Sequence, residues 1–196
     1  MRRIVLASTS PYRRELLHRL NLPFDCVAPS VDEAALPGEA PAATALRLAE
    51  AKARDVSQRH PEAIVIGADQ VADLDGLALN KPGSHAAALS QLTLLQGREA
   101  IFHSGLALAV RGALTESCVV PTTVRFRSLP ADRLDAYLRQ DQPYDCAGSA
   151  KVEALGIVLL EWVRSDDPTA LIGLPLIRLT SMLAQAGIEL PLEAPR

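Results

Sequence analysis

The stretch that most constrains the fold is Ala63–Val71, where a short apolar run is followed at once by a carboxylate. Ile64–Ile66 are three consecutive β-branched residues, which is typical of a strand buried on both faces. Gly67 and Ala68 leave room for a polar group to approach the backbone beside Asp69. Because ligands in α/β proteins bind at the carboxyl ends of inner strands, Asp69 is a candidate functional residue. The alternative, in which Asp69 only caps a turn, fits this stretch about equally well.

Length and composition favour one domain of ordinary size or two small lobes that share one sheet, and we place a single domain over residues 1–196. At that length a hydrophobic share of 48% supplies a full core. The net charge of −3 gives no reason to expect a nucleic-acid partner. The longest apolar runs are far shorter than the roughly 20 residues that a spanning helix needs, so we expect no membrane partner.

The cysteines and histidines indicate a cytoplasmic protein without a histidine-built metal site. The three cysteines are odd in number and widely spaced, and we interpret them as reduced, mostly buried thiols: Cys26, Cys118 and Cys146. The apolar run Ile4–Ala7 is too short for the core of a signal peptide. The four histidines show no zinc-binding spacing.

The beginning of the chain predicts an anion site. Ile4–Ala7 is a predicted strand, and the helix that follows has Ser10 as its N-cap and Pro11 at its first position, running to about Leu20. Such a strand–turn–helix points free N–H groups and the positive end of the helix dipole into the turn. Arg13 lies in the first helical turn, where it opposes the dipole. An anionic ligand would explain that position, although an exposed surface arginine is the common alternative.

Lysine is rare in this chain, whereas arginine is plentiful. A chain with this bias keeps lysine where a compact ammonium is needed, for instance at a phosphate. Lys52 lies on the flank of a predicted helix, about Ala42–Arg59, away from its other charged residues. Lys81 lies in a rigid turn directly before a helix capped by Ser84. Chance survival is the alternative for these lysines, and a surface lysine would be ordinary at Lys81.

The remaining pattern predicts strands and helices along the whole chain. The dipeptide Asp75-Gly76 predicts a tight hairpin turn after the Asp69 strand. The other predicted elements are strands at Phe24–Ala28, Glu99–Val110, Leu114–Val119, Val124–Phe126 and Gly156–Leu160, and helices at 84–95, 130–140 and Leu174–Ala186.

Taken together and in order, these motifs resemble those of the Maf family of nucleoside triphosphate pyrophosphatases. The similarity rests on Leu6–Leu17, Val31–Glu33, Lys52, Gly67–Asp69, Lys81-Pro82 and Ala147–Ser149. The resemblance implies an α/β fold with an elongated, twisted mixed sheet flanked by helices. Two lobes would enclose a central cleft, as in ITP pyrophosphatases. It further implies hydrolysis of a nucleotide to its monophosphate and pyrophosphate, a divalent cation (Mg²⁺ or Mn²⁺) as cofactor, and a homodimer.

The resemblance also assigns a phosphate site. Arg13, Lys52 and Lys81 would hold the triphosphate, offset its charge and orient the leaving pyrophosphate. Ser8 and Ser10 would add hydroxyl and backbone contacts to the phosphates.

Two carboxylates would serve the metal and the attacking water. Glu33 with Asp69 would face Mg²⁺ or Mn²⁺, since these cations prefer oxygen ligands and retain several waters. Without the resemblance, the acidic segment around Glu33 is better explained as a solvated loop. Asp69 would also be the general base for water attacking the α-phosphorus.

At three positions the chain resembles the branch of the family that acts on 7-methyl-GTP. These positions are Tyr12, Gln70 and Glu153. A methylated guanine is positively charged, and an aromatic face attracts a cation by roughly 0.5–2 kcal/mol. Its Watson–Crick edge offers N–H donors that a carboxylate such as Glu153 can accept. Relatives of this branch carry tryptophan where this chain has Tyr12. A helix-start aromatic that only packs on its neighbours is the alternative for Tyr12.

Two other functions fit the same motifs. The same chemistry could act on dTTP, UTP or another modified nucleotide. The chain could instead be a nucleotide-binding regulator of cell division with little turnover, although the intact set of charged residues favours catalysis. A kinase or GTPase is disfavoured because the sequence has no P-loop motif.

Overall fold

The computed structural model describes residues 2–192, which form one seven-stranded sheet and five α-helices. The strands are β1 (Ile4–Ala7), β2 (Asp25–Cys26), β3 (Ile64–Leu74), β4 (Leu77–Leu79), β5 (Glu99–Val110), β6 (Ala113–Phe126) and β7 (Leu160–Ser165). The helices are α1 (Pro11–His18), α2 (Pro41–Arg59), α3 (His85–Leu95), α4 (Ala131–Asp141) and α5 (Leu176–Gln185).

The sheet is mixed, with strand order β2-β1-β3-β5-β6-β7 and β4 paired to β3 beside this path. The strands β2, β1 and β3 run parallel, and every other pairing is antiparallel. This arrangement confirms the predicted mixed α/β fold. Within residues 2–192 no helix is long and apolar enough to cross a membrane.

Strand β3 changes neighbours part-way along one edge. Its pairing with β1 ends at Gly67, and its pairing with β4 begins at Ala72. Strand β5 covers the opposite edge from Ile64 to Asp73. Asp69 therefore lies inside a continuous strand, on the edge between β1 and β4, and the prediction that the strand ends before it is wrong. The long pairing with β5 is the reason that β3 continues to Leu74.

The core contains two large hydrophobic clusters, which correspond to two lobes, and two smaller ones that include residues of α2. One cluster joins α1 and α5 to the sheet through residues such as Leu17, Ile66 and Leu179. The other joins α3 and α4 to the far half of the sheet through Leu92 and Leu138, among others. The two-lobed organisation that the resemblance implied is thus present, with β3 and β5 running through both lobes.

Helix α2 packs unusually close to the sheet because two strand residues have no side chain. A Cβ on Gly67 would lie 2.1 Å from the carbonyl oxygen of Ala49, and one on Gly105 would lie 2.2 Å from that of Ala45. Gly67 therefore makes room for a helix, and Ala68 is buried in the cluster of α1 and α5. The interpretation of these two residues as clearance for a ligand is wrong.

Local signals predicted the caps and the hairpin correctly. The Ser10 hydroxyl oxygen accepts the Arg13 backbone N–H at 3.4 Å, and Ser84 does the same for Ala87 at 3.3 Å. The two hairpin residues both have positive φ, 52° at Asp75 and 87° at Gly76, as a tight turn between β3 and β4 requires.

The structure corrects four of the predicted elements. Helix α1 ends at His18, two residues early, and β2 is only two residues long because its pairing partner β1 is short. The strand predicted at Val124–Phe126 is the end of β6. The strand predicted at Gly156–Leu160 is a 3₁₀ helix, Leu155–Leu159, because the Gly156 N–H turns back to the Lys151 carbonyl at 3.0 Å. Strand β7 follows it.

We expect Gly67→Ala to destabilise the protein by at least about 3 kcal/mol, because the new methyl group would overlap helix backbone. Gly38→Ala is the control: Gly38 has positive φ (73°), unlike Gly67, but its added Cβ would meet nothing within 4 Å. This control should lose only about 1 kcal/mol. Urea unfolding measures both. Equal stability of the two variants would contradict the close packing of α2.

Candidate active site

A cleft of about 510 Å³ opens where β3 lies between β1 and β4. The two lobes both contribute to it, through the turn after β1 and the turn after β4. All ten residues predicted from the sequence line this cleft: Ser8, Ser10, Tyr12, Arg13, Glu33, Lys52, Asp69, Gln70, Lys81 and Glu153.

Lys52 connects two carboxylates at the floor of the cleft. Its Nζ lies 2.7 Å from Asp69 Oδ1 and 2.6 Å from Glu33 Oε1. Lys52 is only 4% exposed and Asp69 only 7%, whereas Glu33 reaches over from an exposed loop. A buried lysine needs such partners, since an unpaired buried ammonium is costly. The close approach of α2 to β3 brings Lys52 to Asp69.

The pKa of Glu33 is lowered from its ordinary value. Partial burial acts in the opposite direction, raising it, but the hydrogen bond and charge of Lys52, together with the charges of Lys81 and Arg13, outweigh burial. Glu33 is therefore an anion surrounded by three cations.

Arg13 extends from the first turn of α1 into the cleft. Its Nε donates to the Gly173 carbonyl oxygen at 2.9 Å. Burial lowers the pKa of the Arg13 guanidinium, while the charges of Asp69 and Glu33 oppose that shift. Arginine stays protonated even so. Tethering of Nε leaves the two terminal nitrogens of the guanidinium to meet an anion.

The turn between β1 and α1 presents hydroxyl groups to the same region. The Ser8 hydroxyl oxygen accepts the Ser10 N–H at 3.1 Å, and the Ser10 oxygen caps α1 as described above. Because a hydroxyl can accept and donate at once, each serine retains its hydrogen for an anion. The N-terminus of α1 adds its dipole.

Lys81 lies at the rim of the cleft in an exposed turn. Two hydrogen bonds fix that turn: Gly83 N–H to the Tyr144 carbonyl oxygen at 2.9 Å, and Gln91 Nε2 to the Asn80 carbonyl oxygen at 2.8 Å. The Lys81 backbone is therefore held in place while its side chain is free to move.

Tyr12 stands at the other end of the cleft in an acidic environment. Its hydroxyl donates to Asp145 Oδ1 at 3.4 Å. The Lys151 ammonium lies over its ring, 5.5 Å from the centroid, within the range of a cation–π contact. Burial, and then the charge of Asp145, raise the pKa of the neighbouring Cys146 thiol to about 12. Desolvation likewise raises the pKa of Glu153.

Gln70 faces the opposite side of β3 from Asp69. Its Nε2 lies 3.0 Å from the carbonyl oxygens of both Ala170 and Leu171, and 3.1 Å from Ser104 Oγ. The structure thus places the amide nitrogen of Gln70 against a protein turn.

Comparison with known proteins identifies the family of this chain. A family model described as Maf-like protein matches residues 3–186. The chain belongs to the Maf family.

Curated Maf relatives are similar to this chain over nearly its whole length. A protein of Methylobacillus flagellatus named 7-methyl-GTP pyrophosphatase is 56% identical over 95% of this chain and 97% of its own length. A protein of Burkholderia thailandensis with the same name is 59% identical over 96% of this chain and 89% of its own. A nucleoside-triphosphatase / dITP/XTP pyrophosphatase from Mycobacterium abscessus is 22% identical, covering 65% of this chain and 76% of its own, with a TM-score of 0.41.

Sequence reasoning missed several residues of the cleft in this Maf chain. Asp145 and Cys146 lie beside Tyr12, and Leu171 and Ile172 also line the cleft. The latter two precede Gly173, whose φ of 115° only glycine adopts readily. Nothing in the periodicity of this segment distinguishes it from an ordinary loop.

We expect Lys52→Met to raise the pKa of Glu33, because that variant removes the hydrogen bond and charge that lower it. A depressed carboxyl pKa stabilises the fold above the unfolded value, about 4.3. That stability is lost as pH falls through the folded pKa, so the variant should gain less stability than wild type as the pH rises from below the folded pKa of Glu33 to above its unfolded value. NMR titration of the Glu33 carboxyl carbon measures the shift.

The matched control is Lys151→Met, since Lys151 is not among the cations that shift Glu33. An unchanged Glu33 titration in Lys52→Met would contradict the ion pair between Lys52 and Glu33.

Proposed function

We propose that this Maf-family chain hydrolyses 7-methyl-GTP to 7-methyl-GMP and pyrophosphate. The observation that carries the proposal is the convergence of Lys52, Glu33 and Asp69 beside Arg13 in one cleft. Relatives at 53–59% identity named 7-methyl-GTP pyrophosphatase support the choice of substrate.

The cations of the cleft would bind the triphosphate. Arg13 presents its terminal nitrogens from a tethered guanidinium, and Lys52 contributes from the floor. Lys81 can reach a distal phosphate from the rim because its side chain is exposed. Ser8 and Ser10 donate their hydroxyl hydrogens. Positive charge placed at the β- and γ-phosphates stabilises pyrophosphate as it leaves.

The carboxylates fit a hard divalent cation, Mg²⁺ or Mn²⁺. Glu33 and Asp69 both lie within hydrogen-bond distance of one ammonium, so their oxygens already converge on a single positive charge. Among residues 2–192 no group of three or more His, Cys, Asp or Glu side chains is arranged to hold a metal. The protein would therefore supply two carboxylates, with phosphate oxygens and water completing the shell. When bound, the cation would offset phosphate charge and acidify water.

Asp69 would be the general base. Lys52 occupies its Oδ1, so Oδ2 is the oxygen that accepts a proton from the attacking water. The same hydrogen bond holds the carboxylate in one orientation. Water then attacks the α-phosphorus, the bond from that phosphorus to the bridging oxygen of pyrophosphate breaks, and Arg13 and the lysines offset the charge that develops on the leaving group.

The base would lie at the Tyr12 end of the cleft. A cationic methylated guanine is attracted by the ring of Tyr12 and by the surrounding carboxylates, Asp145 and Glu153. Glu153, an exposed side chain that lines the cleft, would accept N–H donors from the Watson–Crick edge. Gln70 would contribute to recognition of the base indirectly. Its amide holds the turn at Ala170 and Leu171, and Leu171 lines the cleft.

A cytoplasmic location is also proposed, on the basis of free thiols. Within residues 2–192 Cys26, Cys118 and Cys146 are free thiols, which suit a reducing compartment. The prediction that they are mostly buried is wrong, because Cys26 is exposed and Cys118 and Cys146 are only partly buried. The single domain over residues 1–196 and the homodimer remain predictions.

We expect Asp69→Asn to lower kcat for pyrophosphate release by about 10²–10⁴-fold, the usual contribution of a general base. Binding of 7-methyl-GTP should persist because the phosphate-binding cations remain. Asp73→Asn, four residues along the same strand and bonded to His103 outside the cleft, is the control and should keep its activity. Full activity of Asp69→Asn would exclude Asp69 as the base.

We expect wild type to prefer 7-methyl-GTP to GTP, and Tyr12→Leu to reduce that preference by roughly 2–30-fold, the value of one cation–π contact. The measurement is kcat/KM for both nucleotides, with UTP and dTTP as further substrates. Equal kcat/KM for GTP and 7-methyl-GTP in wild type would contradict the substrate, and faster turnover of UTP or dTTP would place the chain with the other branch. Absence of turnover on every nucleotide would favour a regulator.

A further inference from the structure

A buried serine on β5 holds a turn that borders the cleft. We define the 170–173 turn as the 3₁₀ segment Ala170–Ile172 followed by Gly173. Ser104 is fully buried (0% exposed), and its Oγ donates to the Ala170 carbonyl oxygen at 2.6 Å. A buried hydroxyl needs a hydrogen-bond partner, and the partner of this one lies in a turn that is far away in sequence.

Gln70 holds the same turn from the neighbouring strand. It is directly opposite Ser104 in the β3–β5 pairing. The Gln70 amide donates to the carbonyl oxygens of Ala170 and Leu171 and approaches Ser104 Oγ. Since Ser104 gives its only hydrogen to Ala170, its oxygen is free to accept from Gln70. The two side chains therefore form one polar anchor on the sheet.

The other end of the turn holds Arg13. The Gly173 carbonyl oxygen accepts the Arg13 Nε–H at 2.9 Å, and a Cβ on Gly173 would lie 3.5 Å from Nε. Just before the turn, Asp167 is 2% exposed and accepts the Thr169 N–H at 3.0 Å and the Ile177 N–H at 2.7 Å. The turn is thus fixed at its first residue, Ala170, by Ser104, and the segment just before it is fixed to the start of α5 by Asp167.

We propose that Ser104 is a positioning residue for the phosphate-binding arginine. The path runs from Ser104 Oγ through the 170–173 turn to the Gly173 carbonyl and from there to Arg13 Nε. With Nε held, the guanidinium plane is fixed and its terminal nitrogens face the cleft. Loss of the Ser104 anchor releases the turn, and Arg13 then has to be ordered by the ligand itself. The inference rests on the proposed function only in taking the anion to be a triphosphate.

Equilibrium binding of inorganic tripolyphosphate with Mg²⁺, measured by isothermal titration calorimetry, tests the path without requiring a base or turnover. We expect Ser104→Ala to bind it about tenfold more weakly than wild type, the fold-change of one lost hydrogen bond. Ser104→Thr, which retains the hydroxyl, should restore binding. Ser57→Ala is the matched control, since Ser57 is equally buried and accepts the Gly112 N–H at 2.8 Å outside the cleft. It should bind as wild type does.

A double-mutant cycle with Arg13→Lys separates positioning from general loosening. Lysine keeps the charge but has no Nε–H to give to Gly173, so Ser104→Ala should weaken binding by less than about twofold in this background. A full tenfold loss there, or normal binding by folded Ser104→Ala, would overturn the proposal. If Ser104→Ala does not fold by circular dichroism, Gln70→Leu, which removes the second anchor, replaces it in the cycle.

The outcomes also distinguish this inference from the proposed function. If wild type binds tripolyphosphate but does not hydrolyse 7-methyl-GTP, the proposed function is contradicted. The double-mutant cycle, which is measured by binding alone, then supports or overturns the positioning path by itself. Wild type that hydrolyses 7-methyl-GTP while the cycle is additive contradicts the positioning path alone. Wild type that does not bind tripolyphosphate overturns the path.

Discussion

The ammonium of Lys52, held between Asp69 and Glu33, is the interaction on which the rest of the site depends. Removing a lysine and an aspartate from water costs several kcal/mol per charge, and mutual attraction only partly offsets that cost. Such a pair contributes little to stability, so its place in the floor of a cleft is better explained by function. The pair exists because α2 lies so close to β3, and α2 lies there because Gly67 and Gly105 have no side chains.

The topology of the sheet explains why this place is a cleft. Strand β1 turns away into α1 after Ala7, and β4 joins β3 only at Ala72, so a stretch of β3 faces open space between two lobes. The same departure of β1 creates the helix N-terminus and brings Arg13 to the opening. One change of strand neighbours thus supplies the carboxylate, the cations and the space between them. The second lobe then closes the far side with Lys81 and with the segment around Asp145.

Features set by local chemistry could be predicted from the sequence. Ser10 and Pro11 mark the start of α1, Asp75-Gly76 marks the hairpin, and all ten predicted residues do line one cleft. Features set by distant contacts could not. The length of β3 depends on pairing with β5, and the purpose of Gly67 depends on a helix that no local pattern places against it.

The 170–173 turn shows the same limit within the site. The family resemblance associates Gln70 with base recognition, yet its amide nitrogen contacts carbonyl oxygens about a hundred residues away. Ser104 has no sequence signature at all, since a lone serine in a strand is unremarkable until its partner is known. Residues that act through backbone carbonyls of another segment leave no spacing or periodicity to find.

The central claim is that water attacks the α-phosphorus and that pyrophosphate is the leaving group held by the cations of the cleft. Hydrolysis of 7-methyl-GTP in water enriched with ¹⁸O, followed by mass spectrometry of both products, tests this claim most directly. Attack at the α-phosphorus places the label in 7-methyl-GMP and leaves pyrophosphate unlabelled. Label in pyrophosphate, or release of orthophosphate in place of pyrophosphate, would contradict the account.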